Sequence, residues 1–209
     1  MTSESRAVWL FGPDGAPTSA SLVRGLNEQH IDHWRAHWCP ARDQSLSRLA
    51  SHGKRRPDHS RWDWERKLRK VSGLLGFVGY AVECDGLPQG LLLLDLNQTA
   101  RLPEQSGKPL VYIQYVETAP WNSPRYSNPI RYRGVGSTLI RAAVELSLDS
   151  EFRGRLGLHS LPEAESFYRE KVGMTEMEPD VSQQGLRYFE ATETQALAFV
   201  DRTGGQYAA

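Results

Sequence analysis

The stretch Arg131-Tyr132-Arg133-Gly134-Val135-Gly136-Ser137-Thr138-Leu139 decides the fold prediction. It follows an apolar run, Leu110 to Val116, that is typical of a strand. It opens a segment whose apolar residues recur with helical spacing: Leu139, Ile140, Ala143, Val144 and Leu146. A glycine-rich turn between a strand and a helix gathers backbone N–H groups and the positive end of the helix dipole at one point. These residues alone favour equally a phosphate site and a tight turn without a ligand.

A second strand–helix pair follows downstream. The short apolar segment Leu156-Gly157-Leu158-His159-Ser160-Leu161 is typical of a strand. The next segment, Pro162 to Val172, is predicted to be a helix, because proline suits the first helical position and Gly173 supplies a stop.

Together the two pairs resemble the acyl-CoA-binding core of the GNAT N-acetyltransferase superfamily, over the span from Gly76 to Glu190. In that family an Arg/Gln-x-x-Gly-x-Gly/Ala motif cradles the pyrophosphate of coenzyme A. A later Ala-x-x-Phe-Tyr-x-x-x-Gly-Phe-like segment carries a tyrosine beside the CoA sulfur. The matching residues are Arg131, Gly134 and Gly136, then Ala164, Phe167 and Tyr168, with a near match at Gly173-Met174. Leu161 departs from the pattern, because many members have there an asparagine that contacts CoA.

The resemblance implies one α/β (α+β) domain over residues 1–209, with a mixed, mostly antiparallel central sheet flanked by helices. Residues 76–190 would form the acetyl-CoA-binding core. Residues 1–75 would supply an N-terminal strand and helices that shape the acceptor site, and residues 191–209 a C-terminal helix and tail.

Local patterns predict the individual elements. Strands are expected at 7–11, 77–83, 89–96, 110–117 and 185–190, and a closing helix at 193–201. Asp85-Gly86 predicts a hairpin turn, because such turns need positive φ values. The pattern from Ser19 to Trp38 predicts a helix, and the polar segment from Arg42 to Ser60 a loop or broken helix.

Composition bounds the class of protein. The 209 residues are 39% hydrophobic and 24% charged, which is typical of one globular domain. The formal net charge is zero, so no global field favours nucleic acid or a membrane as partner. Cys39 and Cys84 are too few for a disulfide framework, and the first residues lack the pattern of a signal peptide. We therefore expect a cytoplasmic protein.

Three histidines, His30, His33 and His37, precede Cys39 and raise the question of zinc. One helix face carrying three ligands strains tetrahedral geometry, and no Cys-x-x-Cys pair stands nearby. An aromatic, amphipathic helix packed on the sheet is the favoured interpretation, and no metal is expected.

The resemblance implies acetyl-CoA as co-substrate and an amine as acceptor. The residues expected at the CoA site are Val116, Arg131, Arg133, Gly134, Val135, Gly136 and Ser137. Transfer is expected to be direct, within a ternary complex, because neither motif contains a cysteine that would carry the acetyl group.

Two residues are the candidate catalytic groups. An alkylamine is mostly protonated at neutral pH, so a base must first take its proton. In the family this base often lies on the strand before the phosphate loop, and Glu117 stands at the end of that strand. A surface or strand-end carboxylate without a catalytic role is the other interpretation of Glu117, and a water held by Tyr112, Gln114 and Tyr115 is the alternative base. Tyr168, whose phenol has an ordinary pKa near 10, matches the tyrosine that serves the departing thiolate. A tyrosine packed on the sheet is its alternative.

Trp62, Trp121 and His159 are the candidate acceptor-binding residues. Trp62 and Trp64 flank Asp63 inside a basic stretch, Arg48 to Lys70. Two tryptophans beside a carboxylate suit a cationic or aromatic substrate. They are equally well explained as side chains that pack in the protein core. Trp121 opens the insertion Pro120 to Pro129, which the resemblance places over the active site. His159 is a candidate for contacting substrate or relaying a proton, although a core histidine with satisfied hydrogen bonds is favoured.

The acceptor's identity stays open. A small molecule or a peptide amine is the main expectation, and an aminoacyl-tRNA is the less favoured one, because only the basic stretch points to RNA. A solvated helix face is the favoured interpretation of that stretch, and a site for the 3′-phosphate of CoA or for an acidic substrate is the other one. A non-catalytic acyl-CoA-binding module is the alternative of a different class. A homodimer is compatible with the resemblance.

Overall fold

An eight-stranded sheet organises the protein, whose structure is a computed structural model that describes residues 4–204. The strand order is β1-β2-β3-β4-β5-β6-β8-β7, and all neighbours are antiparallel except β5 and β6. The strands are β1 (Ser5–Phe11), β2 (Pro17–Arg24), β3 (Phe77–Cys84), β4 (Leu87–Thr99), β5 (Pro109–Thr118), β6 (Leu156–Ser160), β7 (Thr175–Asp180) and β8 (Leu186–Ala191). The predicted fold class is thereby confirmed.

Helices cover both faces of the sheet. They are α1 (Glu28–His33), α2 (Cys39–Ser51), α3 (Trp64–Val71), α4 (Val135–Asp149) and α5 (Glu193–Arg202), and a wider π-helical turn, Trp34–Trp38, joins α1 to α2. Successive strand residues point to opposite faces. Leu92 and Leu94 accordingly pack with α4 and α5. Leu91 and Leu93 pack instead with two tryptophans of the π-helical turn and with Trp64 of α3. This double covering explains why β4 is apolar without alternation.

The helix predicted from Ser19 to Trp38 is wrong in its first half. Pro17–Arg24 instead forms β2, which pairs with β1 through a turn at residues 12–15 and buries Ala20 and Leu22. The helix begins only at Glu28, where the Asn27 side chain caps it. Of the two alternatives for Arg42 to Ser60, the structure shows the broken helix: α2 continues to Ser51, and a short helical turn, Asp58–Arg61, follows after an irregular segment. Strand β7 was not predicted.

Two local predictions are confirmed. Asp85 and Gly86 have φ values of 54° and 70° in the β3–β4 turn, as a tight hairpin requires. The segment after β6 is helical, with short turns at Pro162–Ala164 and Phe167–Val172, and it ends at Gly173, whose φ is 84°.

Strands β5 and β6 diverge after a short contact. Their parallel register covers only Val111 with Leu156 and Tyr112 with Gly157. Within residues 4–204, the C-terminal half of β5 has no strand partner on that side beyond these pairs, so its backbone groups can accept a ligand in the gap. The start of α4 lies near this end of β5, because both adjoin Gly90 on β4.

Gly90 on β4 sets the position of α4. A Cβ atom at this residue would lie 2.6 Å from Val135 Cγ1 and 2.8 Å from Leu139 Cδ1. It would also lie 3.5 Å from the backbone oxygen of Glu117. The first turn of α4 thus packs directly on the β4 backbone, next to the end of β5.

Among residues 4–204, no helix is both long and apolar enough to cross a bilayer.

Candidate active site

The start of α4 has the features of an anion site. Gly134 is its N-cap residue, with φ 92°, and no side chain caps the helix there. By contrast, α1, α3 and α5 each begin with a side-chain cap, from Asn27, Asp63 and Thr192. The first N–H groups of an α-helix have no intrahelical partner, so at α4 they can bind an anion.

The loop before α4 is held by its neighbours. Arg133 exchanges backbone hydrogen bonds with Phe11 at the end of β1, of 2.7 and 3.1 Å. The Arg131 N–H donates to the Trp121 carbonyl at 2.8 Å, and the Tyr132 N–H donates to Asn122 Oδ1 at 3.0 Å. The loop is therefore preorganised rather than free.

Arg131 has an internal partner. Its guanidinium donates a hydrogen bond of 2.9 Å to Asp85 Oδ2, which also accepts one from the Tyr132 hydroxyl. Arg131 is about half exposed, so a phosphate would have to compete with a solvated ion pair. Arg133 is exposed at the same loop.

Glu117 is a buried carboxyl group near the end of β5. Its Oε2 accepts a 2.6 Å hydrogen bond from the indole Nε1 of Trp64 on α3. Burial raises the pKa of Glu117 from its ordinary value of 4.5 to about 7, although Trp64, Arg42 and Lys67 oppose the rise. A carboxyl group that titrates near neutrality is suited to proton transfer. Its neighbour Val116 faces the α4 side of the sheet.

An aromatic pair lies on the same face as Glu117, and we call it the aromatic cage: Trp62, before α3, and Tyr115, on β5. The two rings meet edge to face, with centroids 5.4 Å apart. The Lys67 ammonium lies over both rings, 3.1 Å from the Tyr115 centroid and 4.2 Å from that of Trp62. The cage therefore holds one alkylammonium group, that of Lys67, by cation–π contacts.

The insertion contributes Tyr126 to this region. Tyr126 is buried, and its hydroxyl has no hydrogen-bond partner within the described part of the chain. The ring of His59 contacts both Tyr126 and Trp62, with centroids 5.4 and 6.1 Å apart. The insertion therefore packs beside the cage, with a polar atom that a bound ligand can satisfy.

A clasp joins the segment before α3 to the segment after β6. Glu163 Oε1 accepts hydrogen bonds of 3.1 Å from the Asp58 N–H and from His59 Nδ1. Burial lowers the pKa of His59, and the nearby Glu163 carboxylate opposes this decrease. The clasp ties together two chain segments that adjoin the cage and the gap.

Tyr168 is buried on the other face, between the rings of Phe167 and Phe189, at centroid distances of 5.3 and 5.9 Å. Burial alone raises its pKa well above the ordinary value of 10. The phenol therefore stays protonated. The ring of Phe167 approaches α4 at Gly136, where an added Cβ atom would lie 3.7 Å from its Cζ. Tyr168 therefore follows a residue whose ring approaches the first turn of α4.

Two residues expected at the acceptor site, Trp121 and His159, have protein partners for their ring nitrogens. Trp121 Nε1 donates to Gln89 Oε1 at 2.8 Å, and its ring packs edge-on against Trp38 rather than against Trp62. His159 bonds Tyr112 Oη through Nδ1, at 2.7 Å, and Asp180 Oδ2 through Nε2, at 3.1 Å. Both ring nitrogens of His159 therefore have protein partners, as in the alternative of a satisfied core histidine.

The N-terminal histidines are separated by their partners. His30 is buried, accepts from the Asn27 N–H at 3.1 Å, and bonds Glu83 Oε1 through Nε2 at 2.8 Å. His33 and His37 pack ring against ring, 5.9 Å apart. Within residues 4–204, no three potential ligands are grouped as a metal would need.

Sequence reasoning missed Lys67, Tyr126 and the His59–Glu163 clasp. Lys67 lies three residues after Trp64 on α3, a spacing that places both side chains on one helix face. That spacing was the available signal, although the partner ring, Tyr115, comes from a distant strand.

Comparison with known proteins rests on structure. Neither protein-family models nor curated protein sequences give a match to this chain. One similar solved structure is Mycobacterium smegmatis RimJ in complex with CoA-disulfide, at 16% identity and a TM-score of 0.52, covering 100% of both chains. Another is apo FdhC, a nucleotide-linked sugar GNAT, at 11% identity and a TM-score of 0.53, covering 90% of this chain and 95% of FdhC. At these identities the comparison shows the fold, and the fold is that of the GNAT proteins.

Proposed function

From the GNAT fold of this chain, we propose that it is an acetyl-CoA-dependent N-acetyltransferase that transfers the acetyl group directly to an amine. One observation carries the proposal: the uncapped start of α4 and the buried carboxyl of Glu117 adjoin the same end of β5, beside its gap to β6. An anion site and a proton acceptor next to one cleft are what acetyl transfer from a nucleotide thioester needs.

The CoA site is proposed at the loop and the gap. The amides of Val135, Gly136 and Ser137, at the start of α4, would bind the pyrophosphate together with the side chain of Arg133. Arg131 would have to exchange Asp85 for phosphate. The RimJ structure contains a CoA-disulfide, which supports a CoA ligand for this fold. When bound, acetyl-CoA supplies an activated acetyl group as a thioester.

Glu117 is the proposed general base. Its pKa of about 7 means that it is substantially ionised at neutral pH and still basic enough to take a proton from an alkylammonium. The neutral amine nitrogen then forms a bond to the thioester carbonyl carbon, and the carbon–sulfur bond breaks. The first proton stays on Glu117, and the second proton lost by the nitrogen passes through water to the departing thiolate.

Tyr168 is the proposed hydrogen-bond donor to the departing thiolate. Its raised pKa keeps the phenol protonated, so it would stabilise the negative charge on sulfur by donating a hydrogen bond rather than by full proton transfer.

The acceptor is proposed to be a primary amine on a small molecule or a peptide, held beside Trp62, Tyr115 and Tyr126. An aminoacyl-tRNA is less well supported, because three members of the basic stretch have internal partners. Arg55 binds Asp58, Arg69 binds Glu65, and Lys67 lies in the cage. A cytoplasmic location is proposed because both cysteines, Cys39 and Cys84, are free thiols, which suits a reducing compartment.

The decisive test is calorimetry with acetyl-CoA followed by assays of CoA release with a panel of amines. We expect binding, and turnover with at least one primary amine. Tyr168→Phe should lower turnover about tenfold or more while acetyl-CoA binding is unchanged. Binding without turnover on every amine would favour a non-catalytic acyl-CoA-binding module. Absence of heat, with a Gly134→Asp/Gly136→Asp variant that behaves like the parent, would refute both.

A further inference from the structure

One lysine of this chain differs from the rest in its surroundings. Of the five lysines, Lys54, Lys70, Lys108 and Lys171 are exposed, whereas Lys67 is half-buried with its ammonium on the aromatic cage. Within residues 4–204, no carboxylate lies within ion-pair distance of its Nζ, although Glu117 acts on it electrostatically. Two rings and a nearby buried carboxyl therefore surround an amine that belongs to the protein itself.

This environment changes the chemistry of the amine. Burial lowers the pKa of Lys67 from 10.5 to about 8, with Glu117 opposing the shift and Lys70 adding to it. At neutral pH, Lys67 therefore has a neutral, nucleophilic fraction roughly a hundredfold larger than that of an exposed lysine. The carboxyl group proposed to deprotonate an external amine lies on the same face of the sheet.

We propose that Lys67 is an internal acceptor, which the protein acetylates on its own Nζ when acetyl-CoA is present and no external amine competes. The proposal rests on the acetyl-CoA-dependent activity proposed above and extends it to a modification site. An external acceptor would then resemble the Lys67 side chain: a primary alkylamine whose ammonium fits between Trp62 and Tyr115.

The reaction balances without a further reagent. The neutral Nζ of Lys67 forms a bond to the thioester carbonyl carbon, and the carbon–sulfur bond breaks. CoA leaves as a thiolate, hydrogen-bonded by Tyr168 and protonated from water. The proton lost by the nitrogen goes to Glu117. The products are an acetylated Lys67 amide and free CoA.

The consequence is loss of the cation from the cage. An acetylated Lys67 is neutral and bulkier, so it would no longer bind the rings as an ammonium does. A primary alkylamine that occupies the cage would displace Lys67 and protect it from acetylation.

The test measures acetylation of the protein's own lysines by mass spectrometry. The full chain is incubated with acetyl-CoA and no amine, and acetylation is located by peptide mass spectrometry. We expect Lys67 to be acetylated at least about tenfold faster than Lys70, which is exposed on the same helix and reports the uncatalysed background. Glu117→Gln should slow acetylation of Lys67 and leave that of Lys70 unchanged. Added n-butylamine, which is the lysine side chain without its backbone, should protect Lys67.

Two variants keep the test decisive. Lys67→Arg retains a cation on the rings but cannot be acetylated, so the gain of one acetyl group per chain should vanish, whereas Lys70→Arg should retain it. Equal acetylation of Lys67 and Lys70, or none at Lys67, would overturn the proposal. If acetyl-CoA binds and an amine is turned over while Lys67 stays unmodified, only the internal acceptor fails. Absence of acetyl-CoA binding refutes the proposed function as well.

Discussion

The indole Nε1 of Trp64 donates a 2.6 Å hydrogen bond to Glu117 Oε2, and both side chains are buried between α3 and β5. Burial destabilises the ionised form of this carboxyl group, and one hydrogen bond from a neutral donor offsets only part of that cost. The pKa of Glu117 is therefore raised to about 7. One tryptophan thus fixes the direction in which the proposed base points.

Glu117→Gln should abolish most of the acetyltransferase activity. The amide keeps the size of the side chain and can still accept from Trp64, but it cannot take a proton. We expect kcat to fall roughly a hundredfold or more, with the Kd for acetyl-CoA unchanged. Glu104→Gln, at an exposed carboxylate in the β4–β5 connection, is the matched control. Full activity in the Glu117 variant would assign the base role to water instead.

The stability of the wild-type protein should fall between about pH 5 and pH 8 relative to Glu117→Gln. The folded pKa of Glu117, about 7, lies above its ordinary value of 4.5, so the stabilisation it gives when protonated is lost as pH rises through the folded pKa. The difference should reach on the order of 3 kcal/mol. Urea unfolding of both proteins at the two pH values measures it. If the difference in unfolding free energy between the two proteins is the same at both pH values, folding does not change the pKa of Glu117.

Trp64→Phe should shift the pH dependence of kcat/KM to higher pH. The Trp64 hydrogen bond favours the ionised carboxylate, so its loss should raise the pKa of Glu117 further. Activity would then rise with pH only above neutrality, and the protein should lose about 1–3 kcal/mol of stability. If the variant is less stable but the midpoint of its kcat/KM profile is unchanged, Trp64 contributes only packing and does not affect the pKa of Glu117. Trp38→Phe is the control, because Trp38 is equally buried but bonds the Pro88 carbonyl.

Gly134→Ala should weaken acetyl-CoA binding. The residue has φ 92°, where a Cβ atom costs about 1–2 kcal/mol, and the backbone at the start of α4 would rotate to relieve it. Gly185→Ala, at φ 75° with open space around it, imposes similar strain in the β7–β8 turn. Both variants should lose similar stability, but only the first should raise the Kd for acetyl-CoA, measured by calorimetry. Equal Kd values would place the anion elsewhere.

The sequence predicts the centre of this fold because its signals are local. The turn at Asp85-Gly86 and the loop at Gly134 depend on backbone conformations that a few neighbouring residues determine. Strand β2 was missed because Ala20, Leu22 and Val23 are compatible with a helix as well as a strand. Only pairing with β1, through the turn at residues 12–15, decides between them.

The candidate site is less predictable, because its parts meet from distant segments. Glu117 was recognised by its position in the strand, but its burial depends on Trp64 from α3. The cage needs Trp62, Tyr115 and Lys67 together, and no spacing in the chain signals that meeting. Trp121 was a candidate for the acceptor site, but its indole N–H donates to the buried side chain of Gln89, a partner from a distant strand.

The missing side chain at Gly90 has a consequence for how this protein can change. A Cβ atom at Gly90 would meet both the first turn of α4 and the backbone oxygen of Glu117, so any larger residue there would disturb the proposed anion site and the proposed base together. We therefore expect substitutions that adjust only one of these two proposed groups to accumulate in the insertion and before α3 instead.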